Sequence, residues 1–248
     1  MEVLMSFSSK FILTILYCLF LNTAQAGQKV PILTYHIHPP FVVGEGKGLS
    51  YDFAKLVTKK SKGKYNFEIR ELPRVRLNQE IKSNKPWVSV WANPLWFGDK
   101  NKKKYFWLEL LKDENSIISR NNLKINYDNP NSLLGKKFGG IRGHKYVGLD
   151  DLLKAKKIKG TKTDNERDLL RMLLHKRVDV ILLPKSTISF YIKDLSLEQK
   201  VFIGKKPHQS YVRHIMVPRG QEKLNSFFEK LNLAKDNEWK GILKKYGF

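Results

Sequence analysis

Cysteine is nearly absent from this sequence, which contains one, Cys18, among 248 residues. A single cysteine has no partner for an intramolecular disulfide, so no disulfide framework holds the chain together. Large residues, Leu16 and Tyr17, precede Cys18, whereas a lipoprotein signal needs small residues there, so we exclude lipidation. The chain is long enough to bury an adequate hydrophobic core without such cross-links.

Acidic residues are also scarce, with 23 Asp and Glu against 46 Lys and Arg, and the formal net charge is +23 at pH 7. A positive field of this size attracts anions. The lysines, however, occur in short runs scattered along the chain, which is typical of a solvated surface. No nucleic-acid-binding motif accompanies them, so we expect no nucleic-acid partner. A basic protein that interacts with anionic lipid or cell-wall polymer stays open as an alternative.

Long apolar runs are missing as well, and the apolar run at residues 11–21 is too short to span about 30 Å of hydrocarbon. Lys10 precedes this run, and Thr-Ala-Gln-Ala at residues 23–26 supplies the small residues that signal peptidase requires. The pattern predicts a cleaved signal peptide at residues 1–26. Gly27 would then be the first residue of the exported protein.

Strand-like and helix-like apolar patterns alternate along the remaining chain. Residues 30–35 predict a strand that ends in two prolines, and a helix is predicted from Ser50. Residues 178–183 form a near-continuous apolar run, which is typical of a strand in a buried parallel sheet. This alternation predicts the α/β class with an open, mostly parallel sheet. A polar stretch rich in Asn, Asp and Pro, residues 126–131, divides the series and suggests two lobes.

Several motifs occur in an order that is informative beyond each one alone. They are Tyr-His-Ile-His-Pro-Pro-Phe at 35–41 with Gly-Leu-Ser-Tyr-Asp-Phe at 48–53, Leu-Gly-Lys-Lys-Phe-Gly-Gly-Ile-Arg-Gly at 134–143, Lys-Arg-Val-Asp-Val-Ile at 176–181, Val-Pro-Arg-Gly at 217–220 and Trp-Lys-Gly-Ile-Leu-Lys-Lys-Tyr-Gly at 239–247. Together they resemble the family 3 extracellular solute-binding proteins, the periplasmic receptors of amino-acid uptake systems and their orphan relatives. The resemblance covers nearly all of the chain after residue 26.

This resemblance implies a two-lobed, type II periplasmic-binding-protein fold, in which each lobe is a mixed, mostly parallel sheet flanked by helices. Lobe 1 would comprise residues 27–118 and 215–248, and lobe 2 residues 119–214, with hinge strands near 116–122 and 211–217. It also implies a periplasmic receptor that is not an enzyme and needs no cofactor. Its partners would be a small-molecule solute and an inner-membrane ABC-transporter permease or a sensor, and we expect a monomer.

The chain departs from the family at both positions that grip an α-amino acid. The family holds the ligand carboxylate with an arginine in a Thr-x-x-Arg stretch, but residues 93–100 contain no arginine. It holds the amine with an aspartate five residues after the Val-Asp-Ala aspartate, and Pro184 stands there. A buried ammonium without its carboxylate costs several kcal/mol. We therefore expect a small anionic or aromatic solute instead of a standard α-amino acid.

Aromatic and polar side chains near the ends of the first and third strands are the first group of candidate ligand-binding residues. Aromatic rings at such positions stack on flat or apolar ligand surfaces, although Phe41 and Trp91 fit a core role equally well. The second group is cationic and would bind an anion, since a guanidinium pairs with a carboxylate through two hydrogen bonds. The first group is Tyr35, His38, Phe41, Trp91, Asn93 and Trp96, and the second is Arg74, Arg76, Arg142, His144, Lys145 and Lys185.

Metal binding and catalysis are the remaining functions to weigh. His36 and His38 lie two residues apart, hence on one face of a strand, but a metal site needs at least three converging ligands, so we expect no metal. The same fold hosts periplasmic dehydratases that act on cyclic carboxylic acids, and this enzyme class stays open as an alternative. Its acid or base would come from Glu45, Asp99 or Glu114, none of which lies in a recognisable catalytic motif.

Overall fold

The structure is a computed structural model that describes residues 27–248, so the predicted signal peptide lies outside the described residues. The strands are β1 Gln28–Thr34, β2 Tyr65–Glu71, β3 Val88–Ala92, β4 Tyr105–Arg120, β5 Lys137–Ile141, β6 Lys159–Thr163, β7 Val180–Pro184, β8 Val201–Ile203 and β9 Gln209–Pro218. The α-helices are α1 Leu49–Lys60, α2 Arg74–Glu80, α3 Asp150–Lys154, α4 Glu166–Leu174, α5 Lys185–Leu195, α6 Glu222–Leu231 and α7 Asn237–Lys245. Across residues 27–248, no helix has both the length and the apolar character needed to cross a bilayer.

One mixed sheet connects all the strands, in the order β2-β1-β3-β9-β4-β7-β5-β6, with β8 paired to β4. The outer pairs are parallel: β1 with β2 and β3 on one side, and β5 with β6 and β7 on the other. The middle is antiparallel, where β4 pairs along its length with β9 and then with β7. The α/β class predicted from the sequence is confirmed, with two parallel wings joined by a long antiparallel ladder.

The buried apolar residues fall into two groups, one on each wing. The first core contains residues from the stretches 30–111 and 215–246, including Phe53 and Phe228. The second core contains residues from 117–201, including Leu173 and Ile181. Because the chain crosses between these groups through β4 and β9, the two long strands are the connection on which both cores depend.

The first helix is positioned by a close backbone approach at Gly48. This residue has φ 125°, a conformation that L side chains rarely adopt, and it precedes the first residue of α1. A Cβ there would lie 2.5 Å from the carbonyl oxygen of Phe41. The absence of a side chain therefore lets the loop after β1 fold back against the start of α1.

Three elements show where the sequence pattern alone is a poor guide. Strand β4 has 16 residues, but polar positions interrupt its apolar pattern, so the sequence indicates a strand only at its end, residues 115–119. The sequence pattern favours a helix over residues 146–156, but α3 is only five residues long, because Gly148, with φ 75°, keeps the preceding residues in turns. Strand β6, Lys-Gly-Thr-Lys-Thr, was not predicted, because it is an almost wholly exposed edge strand without apolar residues.

Candidate functional site

Several chain segments meet where β9 runs between the two wings. They are the loop 35–41 after β1, the 3-10 helix Pro94–Phe97 after β3, the first turn of α5 after β7, and the first turn of α4. The first three follow the carboxyl ends of strands, which is where open α/β sheets place ligand sites. This junction is the candidate functional site.

A buried ion pair lies at the centre of the junction. The Nε of Arg213 in β9 donates a hydrogen bond to Oδ2 of Asp113 in β4 at 2.8 Å, and both side chains are 1% exposed. Ser186, in the first turn of α5, donates to the same carboxylate from its hydroxyl at 2.8 Å and from its backbone N–H at 3.3 Å. The carboxylate thus holds the arginine and, at the same time, the N-terminus of a helix from the other wing.

Aromatic rings surround the other side of the Arg213 guanidinium. Its central carbon lies 4.7 Å from the ring centroid of Phe41, 5.1 Å from that of Tyr211 and 5.7 Å from that of Trp96. These are cation–π distances, which stabilise a desolvated guanidinium. We call Phe41, Trp96, Tyr211 and Asp113 the Arg213 cage.

The backbone of β3 also contributes to this centre. Trp91 has φ 62°, which is strained for a residue with a side chain, and it lies at an irregularity in the pairing of β3 with β9. Its carbonyl accepts a hydrogen bond from the Arg213 Nη1 at 3.4 Å. Its ring N–H donates to Ser50, and its ring packs 5.0 Å from Phe41. Trp91 therefore supports the cage from beneath.

Two histidines line the junction beside Arg213. His36 is buried, and its Nε2 lies 3.4 Å from Arg213 Nη1. Burial, together with the neighbouring arginine cation, holds the pKa of His36 well below its usual value. Burial also lowers the pKa of His38, although the carboxylate of Glu166 at 3.9 Å acts in the opposite direction. Both imidazoles are thus uncharged at neutral pH.

His38 connects the two wings directly. Its Nδ1 lies 3.1 Å from the hydroxyl oxygen of Thr187 in α5, and its Nε2 faces Glu166 in α4. His38 itself follows β1, so these contacts join the loop of the first wing to two helices of the second. Separation of the wings would break both contacts.

Arg74 supplies a positive charge at the edge of the aromatic group. Its guanidinium carbon lies 4.0 Å from the ring centroid of Phe97 and 4.7 Å from that of Tyr35. It donates hydrogen bonds to the backbone carbonyl of Trp96 and, at 3.0 Å, to the side chain of Asn78. Within residues 27–248, no carboxylate forms an ion pair with it. The Arg74 charge is therefore unbalanced, whereas Asp113 balances that of Arg213.

The structure brings only some of the predicted ligand-binding residues together. Tyr35, His38, Phe41, Arg74 and Trp96 lie around the junction, with Trp91 beneath. Asn93 has a structural role, because it caps the 3-10 helix and donates to the carbonyl of Val212.

The other predicted cations are mostly occupied elsewhere or exposed. Lys185 pairs with Glu114 at 3.0 Å, and Arg142 pairs with the exposed Asp164 at 2.8 Å. Arg76 and Lys145 are exposed as well. His144 is also largely exposed, but it lies near the junction, where burial lowers its pKa and the Glu166 carboxylate acts in the opposite direction. Their part in binding stays a prediction.

Sequence reasoning missed the central ion pair and its partners in α4 and α5. Arg213 shares a strand face with Ile215 and Val217, because side chains alternate along β9, and those two are buried. A charged residue in phase with buried apolar ones is the signal that could have identified it. Asp113 had no such signal, since its partner lies 100 residues away in the sequence.

A cavity of about 660 Å³ borders the Arg213 cage. Asp113 and Tyr211 of the cage line it, together with Ser186 and the terminal Phe248. Of the predicted ligand-binding residues only Lys185 lines this cavity, so it lies beside the junction and not within it. Among residues 27–248, no three histidine or acidic side chains are grouped so that they could hold a metal ion.

Comparison with known proteins identifies the fold. No protein-family model matches the sequence, and no curated protein is detectably similar to it. Solved structures do match: an ancestral arginine-binding protein bound to arginine has 20% identity and a TM-score of 0.68, over 90% of this chain and 100% of that one. The substrate-binding protein of an amino-acid ABC transporter has 16% identity and a TM-score of 0.61, over 88% and 99%. The periplasmic VFT2 domain of Bordetella pertussis BvgS has 17% identity and a TM-score of 0.59, over 88% and 93%.

At these identities the likeness establishes the fold and not the ligand. The chain has the type II periplasmic-binding-protein fold that the sequence motifs implied, and that prediction is confirmed. The first two neighbours are binding proteins by name.

Proposed function

We propose that this chain is a periplasmic solute-binding receptor of the family 3 extracellular type, which closes on a small anionic or aromatic solute for uptake or sensing. The observation that carries the proposal is the junction itself, where His38 of one wing contacts the Thr187 hydroxyl and faces the Glu166 carboxylate of the other, beside aromatic rings and Arg74. Such convergence of a few polar groups among aromatic rings is typical of small-molecule sites.

The proposed lobes follow the two hydrophobic cores. Lobe 1 comprises residues 27–118 and 215–248 and includes the first core. Lobe 2 comprises residues 119–214 and includes the second core except Ile117 and Ile118, which lie at the boundary. The proposed hinges lie near 116–122, at the end of β4, and near 211–217 in β9. Opening would bend these strands and separate His38 from Thr187 and Glu166, which is a hinge motion of the kind that binding proteins use.

The charge balance favours an anionic group on the solute. Because the Arg74 guanidinium has no carboxylate partner among the described residues, a solute carboxylate would neutralise it. Hydrogen bonds to a charged group contribute about 1.5–3 kcal/mol. The rings of Tyr35 and Phe97 beside Arg74, and the ring of Trp96 near Arg213, would stack on a flat solute body.

An amino acid is the second candidate, and Glu166 is the observation that favours it. Its side chain is 13% exposed and faces His38, which is uncharged, so the carboxylate lacks a cationic partner at that contact. Glu166 could receive an ammonium group in place of the missing family aspartate, while Arg74 receives the carboxylate. The neighbours of like fold include proteins named for arginine and amino-acid binding.

Calorimetric titration of the chain from Gly27 onward with four solute classes tests the proposal. The classes are aromatic carboxylates, aliphatic carboxylates, neutral aromatics and α-amino acids. We expect the strongest binding with an aromatic carboxylate, and Arg74→Ala should weaken it by about 10- to 150-fold. Arg219→Ala is the matched control, because Arg219 also stacks on a ring, that of Phe106, but lies away from the junction.

Each other outcome has a defined meaning. If Arg76→Ala or Arg142→Ala loses affinity while Arg74→Ala binds as the wild type does, the residue whose variant loses affinity binds the anion instead of Arg74. Tightest binding of an amino acid, weakened by Glu166→Gln, would favour the second candidate. Chemical conversion of the solute, followed by NMR, would contradict a receptor and favour the dehydratase class. Absence of binding by all four classes would refute the proposal.

A further inference from the structure

We propose that Arg213 is an internal ligand: its guanidinium fills a cation subsite within the solute crevice and thereby makes the protein reject cationic solutes. This inference rests on the proposed function only in taking the junction as the solute site. It assigns the specificity of that site to one side chain of the protein itself.

The Arg213 cage has the components of a guanidinium-binding site. It provides one carboxylate, Asp113, at 2.8 Å, and three aromatic rings whose centroids lie 4.7–5.7 Å from the guanidinium carbon. The hydroxyl of Tyr211 lies 3.1 Å from Nη2, and the carbonyl of Trp91 accepts from Nη1. These groups supply acceptors in the plane of the guanidinium and π-faces around it, which is the complement of a planar cation.

The cage is built from separate parts of the chain, as a ligand site is. Phe41 and Trp96 come from loops of the first wing, whereas Asp113 is tied to α5 of the second wing through Ser186. The guanidinium touches both sets and is almost fully buried. It therefore stabilises the contact between the wings as a bound cation would, but without association from solution.

Because Arg213 occupies the cage, the cage has no free carboxylate left to balance a second cation. Both oxygens of Asp113 are already used, by Arg213, by Ser186 and by the backbone N–H of Glu114. Because Asp113 already balances the Arg213 charge and the guanidinium fills the cage, a free guanidinium or ammonium would find there neither space nor an unpaired carboxylate. The wild-type crevice should for this reason discriminate against arginine, agmatine and polyamines.

The test is chemical rescue of Arg213→Ala with methylguanidinium, because a cavity of about 660 Å³ shares Asp113 and Tyr211 with the cage. At about ten times its dissociation constant, methylguanidinium should raise the unfolding midpoint of the variant by about 3–6 °C. It should leave the midpoint of the wild type unchanged. Agmatine should bind the variant at least about tenfold more tightly than the wild type.

The controls distinguish rescue by a planar, fork-shaped cation from rescue by any positive charge. Methylammonium, with equal charge and no planar fork, should rescue less. The double variant Arg213→Ala with Asp113→Asn should lose the rescue, because the carboxylate is gone. If Arg213→Ala is unfolded when isolated, the same experiment is a refolding titration, in which methylguanidinium restores the native circular dichroism spectrum.

The proposal is overturned if methylguanidinium neither raises the midpoint nor restores folding of Arg213→Ala, or if the wild type binds agmatine as well as the variant does. This result is distinguishable from failure of the receptor proposal, which depends on anionic and aromatic solutes binding the wild type. Retained wild-type binding with no rescue would refute the internal ligand alone. Rescue of the variant with no wild-type ligand would refute the solute assignment alone.

Discussion

His36 shows how one buried side chain makes stability depend on pH. An unfolded histidine titrates near pH 6.5, whereas burial and the Arg213 cation keep the pKa of His36 well below that value. Between the two pKa values the unfolded chain binds more protons, so stability is complete above about pH 6.5 and falls as the pH drops. The same direction holds for His38.

We predict that His36→Gln flattens the fall of the thermal midpoint between about pH 7 and pH 5, because one depressed titration is removed. Thermal unfolding followed by circular dichroism across this range provides the measurement. His175→Gln serves as the control, because His175 is exposed just after α4. A slope in His36→Gln equal to that of the wild type would contradict the prediction.

The Asp113–Arg213 pair leads to a second prediction at this scale. Asp113→Asn leaves the buried arginine without its counter-charge, and removing one member of a buried pair costs about 3–5 kcal/mol. Replacing both residues with apolar ones, in Asp113→Leu with Arg213→Met, should cost less than Asp113→Asn alone. Urea unfolding gives both free energies.

A surface ion pair provides the comparison for the Asp113 and Arg213 variants. Lys29 and Glu68 lie 3.6 Å apart with side chains 78% and 55% exposed, so Glu68→Gln should change stability little. If the single Asp113→Asn variant is as stable as Glu68→Gln, Asp113 does not hold Arg213 in the way the distances indicate.

At residue scale, the sequence predicts best the side chains that follow a strand. Tyr35, Phe41 and Trp96 were identified because residues just beyond β1 and β3 face the carboxyl edge of the sheet. Arg213 and Asp113 were not, because a pair separated by 100 residues depends on the register of β4 with β9, which no local pattern records.

At the scale of elements, the loop after β1 and helix α1 depend on Gly48. We predict that Gly48→Ala destabilises the protein by about 1–3 kcal/mol more than Gly63→Ala. Both glycines have positive φ, but a Cβ at Gly48 meets the Phe41 carbonyl, whereas at Gly63 nothing lies within 4 Å. The difference in urea unfolding free energy reports this steric contact together with the greater backbone strain at Gly48, whose φ of 125° and ψ of 174° essentially only glycine adopts. Equal losses of stability in the two variants would show that the loop moves away from a Cβ at residue 48 without a free-energy cost.

The same variant should also weaken solute binding. Phe41 belongs to the Arg213 cage, and its carbonyl is the group that a Cβ at residue 48 would displace. Calorimetry on Gly48→Ala and Gly63→Ala should therefore show reduced affinity in the first variant only.

Elements with a strong apolar pattern were predicted well, and exposed ones were not. Strand β7 is buried along most of its length, and the strand predicted at residues 178–183 differs from its bounds by two residues at the start and one at the end. Helix α4 likewise has a buried apolar stripe. Edge strand β6 and the short α3 have few or no buried side chains, so their sequences carry little of the signal that defines them. Their conformation is set by pairing with β5 and by left-handed glycine turns.

At the scale of the whole molecule, contacts between the wings should control closure. The Thr187 hydroxyl faces His38 from the other wing, so we predict that Thr187→Val increases the population of an open state. The chain beyond residue 26 has no cysteine, so cysteines at the exposed positions Gln79 and Lys154 can be spin-labelled selectively. Pulsed electron spin resonance then measures the distance distribution between the wings.

A broader or longer distance distribution in Thr187→Val than in the wild type is the expected result. Ser189→Ala, in the same helix but without a recorded contact to His38, is the control. Identical distributions for Thr187→Val and the wild type would show that the His38 contact does not restrain the wings.

Trp96 gives the molecule a built-in optical reporter. It is the tryptophan whose indole covers Arg213, and it lies 5.2 Å from the ring of Tyr211, whereas Trp87, Trp91 and Trp239 are sealed in the interior. When the wings separate, water reaches the Trp96 indole first, and its fluorescence emission should shift to longer wavelength. No attached dye is needed. Replacing Trp96 with phenylalanine should remove most of this emission shift. In the wild type, ligand entry can then be followed by fluorescence in solution.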